Sequence, residues 1–243
     1  RQNAAIALGT LRAAEGFEAL ETALREGPAD LRFQAATSLA EIDQQRAFDP
    51  LLAALEDRDG QVVGAAALSV GAIAKEDAAK KQRALAALLE KLEHSNSNTR
   101  FDVAYALAEL GNDSGRDVLA KYFADEDRAW DAVTALVEVS AKDELAKAAA
   151  SKKTQPEARA LAAGKLLALD ASQEFARSVL IEALGHRKPN VRGLAIEQLA
   201  SIGGSWAKPP LEKLARSGKG EDFLEAIAGA MKAIEARRDA SAQ

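Results

Sequence analysis

The stretch "TRFDVAYALAEL", residues 99–110, decides the fold because it does not stand alone. Its skeleton returns as "LRFQAATSLAEI" at 31–42 and, more loosely, as "RAWDAVTALVEV" at 128–139. Written as apolar, Arg, x, x, Ala, Ala, x, x, Leu, x, x, Leu or Ile, the pattern runs through the whole chain. Its ninth position falls at Leu8, Leu39, Val70, Leu107, Leu136, Leu166, Leu199 and Met231. Its twelfth is apolar every time: Leu11, Ile42, Ile73, Leu110, Val139, Leu169, Ile202 and Ile234. The spacing varies from 29 residues (Leu107 to Leu136) to 37 (Val70 to Leu107), yet the register holds, which defines an internal repeat.

At the helical period, positions 5, 9 and 12 share one face with position 6 beside them, and that face is core. Small residues at 5 and 6, such as Ala35 and Ala36, Ala66 and Ala67, or Ala162 and Ala163, allow a neighbouring helix to approach closely. Between these helices lie second apolar stretches, "AFDPLLAALED" at 47–57, "RALAALLEKLEH" at 83–94 and "EFARSVLIEALGH" at 174–186. Turn signals separate the two: "EGPAD" at 26–30, "DRDG" at 57–60, "HSNSN" at 94–98 and "HRKPN" at 186–190. Each unit is therefore a helical hairpin, which can bury its apolar face only by stacking on its neighbours. Second helices are expected at about 1–11, 31–42, 62–73, 99–110, 128–139, 158–169, 191–202 and 223–234.

From Arg1 to about Arg238 the pattern resembles HEAT-like repeats, in particular the short bacterial type named after phycobilisome lyases. The resemblance implies an all-α, right-handed α-α superhelix of about seven and a half hairpins, a single repeat domain over 1–243. The chain begins at Arg1 inside a unit, so a parent extending upstream is expected, with any targeting segment in that part. Departures from the repeat mark particular places. The 37-residue spacing puts an insertion at "AKEDAAKKQR", 74–83, read as a longer first helix or a loop. The segment "KDELAKAAASKKT", 142–154, reads as a short first helix, "WAKPP" at 206–210 puts prolines at a helix start, and "EARRDASAQ" is a polar cap or frayed tail.

Composition narrows function by exclusion. With no Cys, disulfides, thiolate zinc sites and cysteine nucleophiles are absent. A net charge of -5 argues against a general polyanion binder, so no nucleic-acid partner is expected. No apolar run approaches the roughly 20 residues that cross a bilayer, and a cytoplasmic protein without membrane insertion is expected, a monomer or part of a larger chain. No Gly-rich phosphate loop follows a strand and no nucleophile has a catalytic context, so neither catalysis nor a cofactor nor a metal is expected.

Position 2 carries Arg1, Arg32, Arg100, Arg159 and Arg192. The resemblance implies that this ladder pairs with acids in adjacent turns, for which Asp30, Asp59 and Asp127 are at hand. His94 and His186 occupy equivalent points about three repeats apart and cannot share a metal; they are read as polar residues closing first helices. Lys75, Lys80, Lys81 and Arg83, interrupted by Glu76 and Asp77, read as a solvated face.

Positions 3, 4, 7 and 11 of the second helix point away from the core, with 8 at the margin. In the family resembled, second helices line the concave, partner-binding side. Position 3 gives Phe33, Phe101 and Trp130, and position 7 gives Tyr105 one turn beyond Phe101. Around them stand Glu41, Asp102, Glu109, Asp131, Glu138 and Glu197, with Glu225 in the last unit and Lys165 as the basic exception. Aromatic anchors among carboxylates suit a basic, partly apolar peptide or helix of a partner protein. The competing reading is that Phe101 and Trp130 pack on each other or on a neighbouring helix. Two further functions stay open at this point. The resemblance permits a chromophore-lyase-type (bilin) subunit, and the Trp130-Asp131 pair resembles the Trp and Asp of HEAT-like DNA glycosylases.

Overall fold

The computed structural model describes residues 2–11, 13–94 and 96–240, the side chains of 2, 94 and 238–240 excepted. Arg1 and the side chain of His94 lie outside that set. Among the described residues there are fifteen α-helices, five short 3-10 helices and no strand. Contacts divide the chain into two compact units, up to residue 119 and from residue 120, where the sequence reading has one domain.

The first unit comprises α1 (Gln2–Thr10), α2 (Phe17–Glu26), α3 (Ala29–Ile42), α4 (Gln44–Ala54), α5 (Gly60–Ala74), α6 (Ala78–His94), α7 (Ser97–Glu109) and α8 (Arg116–Leu119). Helices α1, α3, α5 and α7 pack side by side as one layer, and α2, α4 and α6 each pack on the second helix of their own hairpin. The second unit repeats this plan with α9 (Ala129–Glu138), α10 (Lys142–Ala150), α11 (Pro156–Leu169), α12 (Glu174–Leu184), α13 (Pro189–Ile202), α14 (Lys208–Ala215) and α15 (Leu224–Ala240). There α9, α11, α13 and α15 form the row, backed by α10, α12 and α14.

The core lies where the repeat places it. Leu39, Val70, Leu107, Leu136 and Leu199 at position 9 have no accessible surface, nor have Ala35, Ala36, Ala66, Ala67, Ala162 and Ala163. Each leucine so buried contributes about 1.5–3 kcal/mol. The small residues act by bringing helices together. A side chain at Gly71 would meet the Ala106 backbone at 3.2 Å, and one at Gly64 would collide with the Asp102 carboxylate, so α5 and α7 touch nearly backbone to backbone.

The insertion at 74–83 resolves into a longer first helix: α6 has seventeen residues, and Asp77 starts it by accepting from the N–H groups of Ala79 and Lys80. Its basic run is stitched down, with Arg83 on Asp49 at 2.8 Å and Lys80 and Arg83 over the ring of buried Phe48. Helix α10 is short, as expected, at nine residues. The prolines at 209 and 210 sit in the first turn of α14, where their missing N–H groups cost nothing. The "EARRDASAQ" tail continues α15 to Ala240, and Arg237 donates to the carbonyls of Ala200 and Gly203, closing the end of α13.

The 29-residue spacing corresponds to a lost helix. Between α7 and α9 only the four residues of α8 are α-helical, flanked by 3-10 turns at Asp113–Gly115 and Ala120–Tyr122, and the boundary between the units falls here. Helix α7 ends on Gly111 at φ 73°, with Asn112 N–H returning to the Leu107 carbonyl at 2.9 Å. Helix α9 ends the same way on Ser140 at φ 50°, with Ala141 N–H on the Leu136 carbonyl at 3.0 Å.

Candidate functional site

Positions 3, 7 and 11 lie one turn apart, so each second helix presents a stripe. In the first unit α3 presents Phe33, Thr37 and Glu41, α5 presents Leu68 and Ala72, and α7 presents Tyr105 and Glu109. Phe33 is 39% exposed and Leu68 37%, and α5 runs between α3 and α7. The first unit therefore carries a row of apolar side chains, with half-buried Tyr105, Asp102 and Glu109 and exposed Glu41 around it.

Phe101 is a correction. Expected on the open face, it is buried at 4% exposure. The reason is visible elsewhere in the array: Asp102, at position 4, abuts Gly64 at position 3 of α5, and Gln198, at position 8, abuts Gly164 at position 7 of α11. Positions 3 and 7 are thus lateral contacts between neighbouring helices wherever the approach is close, so an aromatic residue at position 3 need not lie on an open face. Leu68, by contrast, went unremarked in sequence because a leucine at helical spacing looks like core.

In the second unit Trp130 is 44% exposed on α9, with Asp131 and Glu138 exposed on the same helix. Thr134 sits one turn on and donates to the Trp130 carbonyl at 2.9 Å. Glu197, also exposed, is on α13, separated from α9 by α11, whose Ala160 and Gly164 at positions 3 and 7 are buried. The Trp130 group and Glu197 are therefore not one cluster.

The arginine ladder is architecture, but its partners differ from those expected. Arg32 is buried at 4% exposure and grips Asp57 with two hydrogen bonds of 2.7 Å, Nε to Oδ2 and Nη2 to Oδ1, while Nη1 donates to the Gly27 carbonyl. Asp59, one of the acids at hand for the ladder, instead starts α5 by accepting from Gln61 and Val62 N–H. Burial of Asp57 opposes its ionisation, but the Arg32 guanidinium and the Asp59 N–H hold its carboxyl below the ordinary value. Arg159 donates to the Ala149 carbonyl at 3.0 Å and to exposed Glu182 at 3.1 Å, and that hydrogen bond holds the Glu182 carboxyl below its ordinary value against a smaller opposing effect of desolvation. Arg192 meets no carboxylate in the adjacent turn: Nη1 donates to the carbonyls of His186 and Arg187, and the guanidinium lies 5.3 Å from the Phe223 ring centre. His186 accepts from the Lys188 N–H through Nδ1, just past the end of α12.

No group of three or more His, Cys, Asp or Glu among the described residues is arranged to hold a metal ion. No helix among the described residues is long and apolar enough to cross a membrane.

Two stacks of helical hairpins, stitched turn to helix by arginines, are the signature of a helical-repeat protein. The family model for HEAT repeats matches residues 1–71 and 143–232, and the chain belongs to this family. No curated protein sequence matches. Among solved structures the chain is similar to the complex of CpcE and CpcF of phycocyanin lyase from Nostoc sp. PCC7120, with 19% identity, a TM-score of 0.53, and 90% of this chain and 93% of that one covered. It is equally similar to an engineered protein, with 19% identity, a TM-score of 0.54, and coverage of 96% and 74%. At such identity the likeness is one of fold.

Proposed function

We propose that the chain is a non-enzymatic protein-interaction scaffold whose second-helix stripes bind a basic, partly apolar segment of a partner protein. The observation that carries this reading is the placement of large apolar side chains on open stripe positions where the repeat is satisfied by Ala or Gly. Phe33, Leu68 and Trp130 are each exposed by more than a third. Carboxylates at Glu41, Asp102 and Glu109 in one unit, and at Asp131 and Glu138 in the other, select a cationic ligand. Lys or Arg stems would lie along Leu68 and the rings, with their charges on the surrounding acids.

The test is panning of a displayed library of basic, leucine-containing peptides, followed by titration of the best binder. Replacing Phe33 and Tyr105 by Ala in one variant, and Trp130 by Ala in another, assigns binding to a unit. A loss of at least about tenfold in one of them, deepened by salt, supports the reading. Undiminished binding by both folded variants sinks it. A bilin-handling role has only the shared fold behind it, and a visible absorption change on mixing with bilin would distinguish it.

A further inference from the structure

Three hairpin turns of the second unit carry a charge pattern that the repeat does not need. They read "SKKTQ" at 151–155, "GHRKP" at 185–189 and "RSGKG" at 216–220, each with two Lys or Arg and no carboxylate within it, though Glu221 and Asp222 follow the third and Glu212 pairs with Arg216 at 3.5 Å. Lys152, Lys153, Arg187, Lys188, Arg216 and Lys219 are all exposed. The turns lie side by side. Lys188 reaches Glu157 in the first turn of α11 at 3.3 Å, and Lys219 donates to the Gly185 carbonyl at 2.8 Å. A cleft of about 250 Å³ between the first two turns is lined by Lys152, Thr154, Arg159, Val179 and His186, with one carboxylate, Glu182, which Arg159 holds at 3.1 Å. A second, of about 270 Å³, opens between the next two over Ile181, Leu184 and Leu214.

Two features of this edge are unfavourable for the chain by itself. Helices α11 and α13, fourteen residues each, both begin here with Pro in the first turn and without a side-chain cap. Lysine occupies the N-cap of α13, so a cation sits where the helix dipole favours an anion. Thr154, lining the first cleft beside the start of α11, is only 3% exposed and its hydroxyl has no hydrogen-bond partner. Uncapped N–H groups, an unused buried hydroxyl and clustered cations all favour the same kind of ligand, a carboxylate.

We propose that this edge of the second unit docks an acidic, partly apolar segment of a partner protein in extended conformation. Helix layers stand about 10 Å apart, close to one turn of an extended polyproline II segment, three residues at about 3.1 Å each, so an acid at every third residue falls on one side and meets successive turns. Side chains between them enter the apolar clefts over Val179, Ile181 and Leu184. A nucleic acid fits less well, since the chain as a whole is negative and clefts with apolar floors offer nothing to a sugar-phosphate backbone. The site is opposite in charge to the second-helix stripes and independent of them.

The intact chain is titrated, by fluorescence anisotropy, into a labelled dodecapeptide with Glu at every third position and Val and Ala between. Its Gln counterpart and an oligothymidylate of equal length are the comparison probes. The acidic peptide should bind at least about tenfold tighter than the Gln peptide, and more weakly as salt rises. The variant Lys153→Glu, Arg187→Glu, Arg216→Glu should lose at least about tenfold, whereas Tyr105→Ala, Trp130→Ala should keep its affinity. Circular dichroism verifies folding; if the reversed variant does not fold, Gln at the same three positions replaces Glu, with a loss of at least about threefold expected. No binding of the acidic peptide, equal binding of the Gln peptide, or full affinity in the folded variant overturns the proposal. Tighter binding of the oligothymidylate also overturns it, in favour of phosphate recognition.

Discussion

The turn between α4 and α5 in the first unit and the turn between α12 and α13 in the second occupy the same place in the repeat and are finished differently. In the first, Asp57 takes the Arg32 guanidinium, Asp59 takes the opening N–H groups of α5, and the Thr99 hydroxyl donates to Gly60 at 3.0 Å. In the second, Arg192 rests on carbonyls and a ring, and lysine stands at the N-cap. The repeat needs an arginine to hold the turn, but it does not need the turn to supply the counter-charge. Where the turn supplies it, the arginine is held by a carboxylate; where it does not, carbonyls and a ring hold the arginine instead.

The largest expected effect comes from breaking the closed turn. Arg32→Ala leaves Asp57 partly buried without its cation and should cost about 3 kcal/mol in urea denaturation. The same pair sets an acid limb. Because Asp57 is held below its ordinary value, its contribution is present above that value, about 4, and is lost as pH falls through the folded-state one. Arg32→Ala should flatten this part of the stability profile, and an unchanged profile would deny the pair its role. Arg192→Ala should cost less, about 1–2 kcal/mol, since only hydrogen bonds to carbonyls and a ring contact are lost. A loss equal to that of Arg32→Ala would erase the distinction between the two turns. Asp59→Ala removes the cap of α5 and should cost about 1 kcal/mol by the same denaturation measurement. The smallest change runs the other way: Lys188→Asp gives α13 the cap it lacks and should raise stability by about 0.5–1 kcal/mol while weakening acidic-peptide binding.

The row of second helices was legible because burial at positions 5, 9 and 12 is local and periodic. The expected span 31–42 is found at 29–42, and 128–139 at 129–138. What lay beyond the sequence depends on neighbours. Phe101 and Trp130 share position 3, yet one is buried and the other exposed, so the position in the repeat does not by itself decide exposure. Asp57 and Asp59 are both turn acids, and only the path of the turn decides which pairs with Arg32 and which caps α5. The short spacing before Leu136 read as ordinary variation, whereas it removes most of a helix. The basic edge was missed because each turn was read singly; "HRKPN" alone is a turn signal, and only alongside the other two does its charge become a surface.

Helix α8 has four residues where α4 has eleven and α6 seventeen. In a repeat array stability passes from link to link, and an array with a weak link loses all-or-none melting. Calorimetry should then resolve two transitions, one for each unit. The acidic peptide, bound only to the second unit, should move one of them upward with concentration and leave the other in place, so the thermogram reports which half of the chain a ligand has chosen.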